Sequence, residues 1–250
     1  MCNSDHPWNI PSDNLTLTEN EVHVWRASLE APLNTLYYLQ HVHSPEEVER
    51  ARQFYFEKDR RYWTVAHGVL RMLLAHYLDI DPREIRFVTD NYGKPSIVYP
   101  SLGTRLYFNL SHSDGLALYA FTYDRHVGVD VEHMRANINC EELAKYHFSP
   151  YECAVLQRLP AVVREEAFFL CWSRKEAYIK ARGKGLSIPL DQFDVSLTPG
   201  EPAALIASRE DPQATTCWSL HALAPGTGYA GALVVEGTSC RLSCWQWQWQ

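Results

Sequence analysis

The stretch HVGVDVEHM, residues 126 to 134, places a valine at every second position from Val127 to Val131. Such alternation marks a β-strand, whose successive side chains point to opposite faces. Val127, Val129 and Val131 then face a core, and Gly128, Asp130 and Glu132 share the other side. The two carboxylates stand roughly 7 Å apart along the backbone. Two readings of that pair are open: a solvated strand face, or a cation held between like charges, for which hard oxygen ligands suit Mg²⁺.

Working outward, the strand has a counterpart 105 positions earlier, where VHVWRA (22 to 27) puts Val22 and Val24 onto Val127 and Val129. The same offset carries Ser44-Pro45-Glu46-Glu47 onto Ser149-Pro150-Tyr151-Glu152. Each is a helix start, with serine as N-cap, proline in the first turn and glutamate closing a capping box. IRFVT (85 to 89) nearly falls on QFDVSL (192 to 197), and GLALYAFT (115 to 122) resembles GYAGALVVE (228 to 236) as a closing strand. The chain therefore reads as two similar αβ halves, 1–124 and 125–237, related by a pseudo-twofold. Strand, then helices, then strands is an α+β order, and a cleft between such halves is a common ligand site. The tail, 238–250, ends in alternating Trp and Gln and is read either as an edge strand or as a frayed, disordered terminus without a role.

Composition sets outer limits. With 46% hydrophobic and 21% charged residues the chain is an ordinary globular protein. It lacks any run of about 18 apolar residues that would span a membrane. The N-terminal MCNSDHPWNIPSDN has neither a basic start nor an apolar stretch, so no secretion signal is read there. Seven cysteines without a CxxC pair fit a reducing cytoplasm and no zinc site. A net charge of −7 argues against a general nucleic-acid binder, so an anionic ligand must be held by local basic clusters. Such clusters are Arg50, Arg52, Arg60 and Arg61, and Arg174, Lys175, Lys180, Arg182 and Lys184.

Helical spacing runs through EEAFFLCWSRKEAYIKARGKG (165 to 185), which ends at glycines suited to a C-cap. Trp172, Glu176 and Lys180 form one stripe, beside the apolar Phe168, Cys171 and Ile179. At the 105 offset the stripe falls on His67, Arg71 and Ala75, and Asp130 and Glu132 fall on Trp25 and Ala27. The acidic features thus belong to the second half alone. Taken alone, the stripe is also a surface Glu–Lys pair worth a few tenths of a kcal/mol. Two shorter signals close the first half: the turn TDNYGKPS (89 to 96), with an exposed Lys94, and LYFNLSHSDG (106 to 115), whose Ser111, His112 and Ser113 suit a phosphate.

GVDVE (128 to 132) with FFLCWSRKEAYIKARGKGLSIPL (168 to 190) resembles the signature pair of the 4'-phosphopantetheinyl transferases, in their larger Sfp-type class. YGKP (92 to 95) and FNLSHS (108 to 113) match two further motifs in the right order. The resemblance implies a fold of two α+β halves about a pseudo-twofold. It implies transfer of the 4'-phosphopantetheine arm of coenzyme A to a serine of an apo acyl or peptidyl carrier protein, releasing adenosine 3',5'-bisphosphate. It further implies Mg²⁺ on Asp130, Glu132 and Glu176, with Lys180 at the phosphates and Glu176, a water or Glu152 as the base. Trp172 is then a supporting residue.

For coenzyme A, the resemblance points to Gly93, Lys94 and Pro95 beside the adenine and to Ser111 and His112 at the phosphates. Arg50 and Arg52 fall near the 3'-phosphate, with Arg60 and Arg61 as substitutes because Glu47 stands where the family often has a basic residue. A carrier protein of the acidic helical kind is expected to meet a basic and apolar surface, to which Arg164, Arg174 and Arg182 contribute unless they are simply solvated helix charges. A monomer is expected. The competing readings are a catalytically silent binding module for coenzyme A and carrier, and a Mg²⁺-dependent phosphohydrolase.

Overall fold

Ser44 and Ser149 each accept a hydrogen bond from the backbone N–H three residues on, and the Glu47 and Glu152 carboxylates accept in turn from the serine N–H, so both capping boxes form. Around them the element order repeats in this computed structural model, which describes residues 6–12, 15–98, 105–136 and 138–249. After a short β1 (Trp8–Asn9), the first half runs β2 (Glu21–Ser28), α1 (Leu33–Val42), α2 (Pro45–Arg52), α3 (Glu57–Leu78), β3 (Phe87–Thr89), β4 (Pro95–Ile97), β5 (Leu106–Ser113) and β6 (Leu116–Tyr123). The second runs β7 (Val127–His133), α4 (Cys140–His147), α5 (Pro150–Arg158), α6 (Ala161–Arg182), β8 (Phe193–Val195), β9 (Leu205–Ser208), α7 (Ala214–Cys217), β10 (Trp218–Leu223) and β11 (Tyr229–Glu236). Each opening strand pairs antiparallel with the closing strand of its half, in the orders β2-β6-β5 and β7-β11-β10. The α+β class read from the sequence is the class observed.

Val22, Val24, Val127, Val129 and Val131 all lie in one buried cluster with Leu118, Leu233 and Val235. The matched valines are thus the seam where the two sheets meet. On its other face each sheet carries its long helix, with Trp25 and Ala27 packed beneath α3 in one core and α6 in the other. Gly128 explains how closely β7 approaches α6. A Cβ there would lie 2.2 Å from Ala177 O and 2.3 Å from Ala181 N. Only glycine permits that approach, which brings the carboxylates of β7 alongside the polar stripe of α6.

Two readings of the sequence need correction. The long helices are both 22 residues, and Glu57 matches Ala161 at an offset of 104 rather than 105, because in the second half α5 is one residue longer than α2 while the connection after it is two residues shorter. Arg71 is therefore the counterpart of Lys175, not of Glu176. Both serve the same purpose: Arg71 pairs with Glu47 at 2.7 Å and Lys175 with Glu152 at 2.7 Å.

The tail, read either as an edge strand or as a frayed end, is strand β12 (Arg241–Gln246), an interior strand lying between β1 and β2 and parallel to both. Its lock is Glu21, buried at 2% exposure, which accepts from Arg241 Nη2 at 2.9 Å and Ser243 Oγ at 2.8 Å. A buried carboxylate needs such partners, and they lie 220 residues away in sequence. Cys2 and Gln250 lie outside the described residues. No described helix is long and apolar enough to cross a membrane.

Candidate active site

Strands β5 and β7 come from different sheets, yet they run side by side and are joined by side chains instead of a ladder. Asn109 Oδ1 accepts the Val129 N–H at 2.8 Å, and Ser113 Oγ accepts the His133 N–H at 3.1 Å. Between them Ser111 Oγ donates to Asp130 Oδ1 at 2.8 Å. Asn109, Ser111 and Ser113 sit at i, i+2 and i+4, the positions of one strand face. Sequence reasoning did not single out Asn109, although that polar alternation inside an otherwise apolar strand was the available signal.

Asp130 is 2% exposed. Lys180, reaching over from α6, donates to its Oδ1 at 2.6 Å and to Ser111 Oγ at 3.0 Å. Asp130 Oδ2 is buried and has no partner. Burial and then the charge of Asp130 push Glu132 up to about 7, Glu176 adding to this while Lys180 and the Ser113 hydroxyl, 3.3 Å away, oppose it. Burial and Asp130 raise Glu176 as well, again against Lys180. Three carboxylates are therefore gathered around a single ammonium, and they repel one another. Among the described residues no group of three or more acidic, imidazole or thiol side chains is arranged to hold a metal ion.

The other expected residues lie as follows. His112 is exposed on the opposite face of β5 from Ser111. Arg50 and Arg52 are exposed on α2, the first donating to Gln53 at 2.8 Å and the second standing 3.5 Å from Glu49. Arg60 donates to Phe54 O and Arg61 to Ala31 O. Gly93 lies in the β3–β4 turn at φ 84°, with Pro95 opening β4. Trp172 packs on Phe148, Phe168 and His147.

Several expectations fail on burial. Lys94 is not exposed at its ammonium, which donates to three backbone carbonyls across the cleft. Glu152 has zero exposure and is held by Lys175, Ser149 N–H and Val195 N–H, so it cannot meet a substrate as a base. Glu47, the apparent departure from the basic pattern, is the matching anchor for Arg71. Arg174 is 2% exposed with its guanidinium on Ser196, Arg182 is turned to Tyr178 and Asp211, and Arg164 to Leu159 O, Gln157 O and Glu141. None of the three offers a free charge to a carrier.

Carboxylates, an ammonium and hydroxyls meeting between two related halves are the equipment of an enzyme, not of a passive scaffold. Residues 126–234 match the family model of the 4'-phosphopantetheinyl transferase superfamily, and residues 24–122 match that of the 4'-phosphopantetheinyl transferase N-terminal region. The chain is 38% identical over 242 residues to the 4'-phosphopantetheinyl transferase HetI of Nostoc sp. (strain PCC 7120), covering 97% of this chain and 99% of that protein. It is 37% identical over 154 residues to the 4'-phosphopantetheinyl transferase Sfp of Bacillus subtilis (strain 168), covering 62% of this chain and 66% of that one. The chain belongs to the 4'-phosphopantetheinyl transferase family. Membership makes it an enzyme that transfers phosphopantetheine from coenzyme A to a carrier protein.

Proposed function

We propose that the transfer is Mg²⁺-dependent, takes place at Asp130, Glu132, Glu176 and Lys180, and releases adenosine 3',5'-bisphosphate. The observation that carries this reading is the buried, unpartnered Oδ2 of Asp130, with two further carboxyls, Glu132 and Glu176, both raised by burial and by the charge of Asp130. An open set of carboxylates fits Mg²⁺, which takes one or two of them and fills its remaining positions with phosphate and water oxygens. When bound, Mg²⁺ supplies neutralisation of the pyrophosphate charge.

The protein's own groups account for the rest. The carrier serine hydroxyl attacks the β-phosphorus of coenzyme A in line, forming the new P–O bond as the bond to the bridging oxygen of the leaving phosphate breaks. Glu176, raised by burial, is suited to take the hydroxyl proton. Lys180 lies where it can stabilise charge on the leaving adenosine 3',5'-bisphosphate. Ser111 holds Lys180 and Asp130 in register. In this reading 1–124 supplies most coenzyme A contacts, with Gly93 and Pro95 beside the adenine, His112 at the phosphates and Arg50 and Arg52 toward the 3'-phosphate. The segment 125–237 supplies the metal and catalytic groups. A cytoplasmic monomer completes the proposal.

The test is mass spectrometry of apo carrier proteins incubated with coenzyme A and Mg²⁺. A gain of one phosphopantetheine, with adenosine 3',5'-bisphosphate released and both lost in Asp130→Ala, is the expected result. Full activity of that variant without added metal would refute the metal assignment.

The Glu132 carboxyl adds a pH signature. Its folded value of about 7 lies above its ordinary 4.5, so the unfolded chain gives up the proton first and metal-free stability falls as pH rises through that window. Mg²⁺ binds only the ionised carboxylates, so the increase in Tm on adding it should be small near about pH 5 and grow toward about pH 8. Calorimetry with and without Mg²⁺ measures this, and a Mg²⁺ effect that is flat with pH would remove Glu132 from the ligand set.

A further inference from the structure

The YGKP turn and the Gly-Lys-Gly end of α6 belong to different halves, and the chemistry above uses neither in full. They meet. Asp90 shapes the turn by accepting the Tyr92 and Lys94 N–H groups on Oδ1, each at 2.9 Å. The Lys94 side chain then leaves the first half altogether. Its Nζ donates to Lys180 O at 2.6 Å, to Val127 O at 3.1 Å and to Ala181 O at 3.4 Å.

A lysine ammonium has three hydrogens, and here three carbonyls receive them, leaving none for a ligand. Two of the carbonyls belong to the last turn of α6, where acceptors have no partner four residues on and a cation is favoured by the helix dipole; Lys180 O also accepts from the capping Gly183 N–H at 3.2 Å. The third opens β7. Gly183 caps α6 in the left-handed region at φ 69°, and a Cβ there would come within 3.5 Å of Lys94 Cδ. The side-chain stem thus lies over the glycine that ends the helix.

We propose that Lys94 is a positioning residue, an ammonium clamp that fastens the YGKP turn to the two elements carrying the carboxylates and Lys180, and so fixes the width of the cleft between the halves. The proposal rests on the transferase reading for its consequence: α6 and β7 carry every group assigned to the chemistry, and the turn borders coenzyme A in that reading. Direct contact of Lys94 with coenzyme A, as the family resemblance implies, is the alternative it replaces. The low ammonium value of about 8 that burial imposes agrees with a cation held inside the protein and not in the open cleft.

Lys94→Met keeps the stem and removes charge and donors, and it is compared with the parent chain by amide hydrogen exchange and by steady-state kinetics. Exchange in 90–94 and 180–185 should quicken by about tenfold or more, while β12, which pairs with β1 and β2 and with neither β7 nor the turn, keeps its protection and shows that the fold stands. The kcat should fall by about tenfold or more with the coenzyme A KM changed much less, because misplacement and not lost binding is the defect. Lys94→Arg, which retains charge and donors on a longer stem, should lose less of both. A raised KM for coenzyme A with kcat and exchange unchanged would make Lys94 a direct ligand and overturn the clamp. Absence of transfer by the parent chain would refute the transferase reading, while the exchange measurement still decides whether the clamp exists.

Discussion

Lys175→Met should lower the melting temperature by about 6 to 20 °C, since breaking a buried ion pair costs about 3–5 kcal/mol and a domain of this size loses about 2–4 °C per kcal/mol. Lys175 and Glu152 both have zero side-chain exposure, with Nζ 2.7 Å from the carboxylate. The same ammonium donates to Leu190 O and Phe193 O, each at 2.7 Å, and sits 4.2 Å from the Phe193 ring. Its removal takes a donor from two buried carbonyls and leaves the Glu152 carboxylate, still held by the Ser149 and Val195 N–H groups, without its cation. Burial already raises Glu152, against the pull of Lys175, so the variant should take up a proton there in place of the lost cation. Adding Glu152→Gln to Lys175→Met should therefore recover part of the loss. Scanning calorimetry measures both, and a change under about 1 kcal/mol in the single variant would mean the pair contributes little.

Lys180→Met should reduce phosphopantetheine transfer by about 10²- to 10³-fold, the usual effect of deleting a group that stabilises developing charge. Its side chain is 27% exposed, so the fold should survive, in contrast to Lys175→Met. Without the ammonium, Asp130 keeps only Ser111 as partner, and the one cation that opposes the raising of Glu132 and Glu176 is gone. Transfer rates followed by carrier mass, together with a melting curve, separate loss of chemistry from loss of structure. A decrease below about fivefold would remove Lys180 from the leaving-group role.

What could be read in advance was local. Valine alternation in β7 and the two Ser-Pro-x-Glu boxes are set by neighbours within four residues, and they located the seam, the matched helices and the carboxylates of one strand face. What escaped depends on distant partners. Lys94, Arg174 and Glu152 carry charges that ordinarily face water, and nothing near them in the chain announces that carbonyls or cations tens of residues away will enclose them. The shift from 105 to 104 follows from a net loss of one residue between the start of the second helix and the start of the third, which a fixed offset cannot follow and which pairs Arg71 with Lys175 in place of Glu176. That the tail is a strand was one of its two readings, but its interior place escaped because a parallel strand is positioned by its partner, which begins at Glu21.

That tail bears on the order in which the protein is made. Its strand fills the slot between β1 and β2, and Arg241 and Ser243 are hydrogen-bond partners of the buried Glu21. Until β12 is in place, the half synthesised first lacks the strand that pairs with β2 on this side and the Arg241 and Ser243 partners of Glu21. It becomes complete only after the half that follows it has emerged, so the earliest residues of the chain are among the last to reach their final partners.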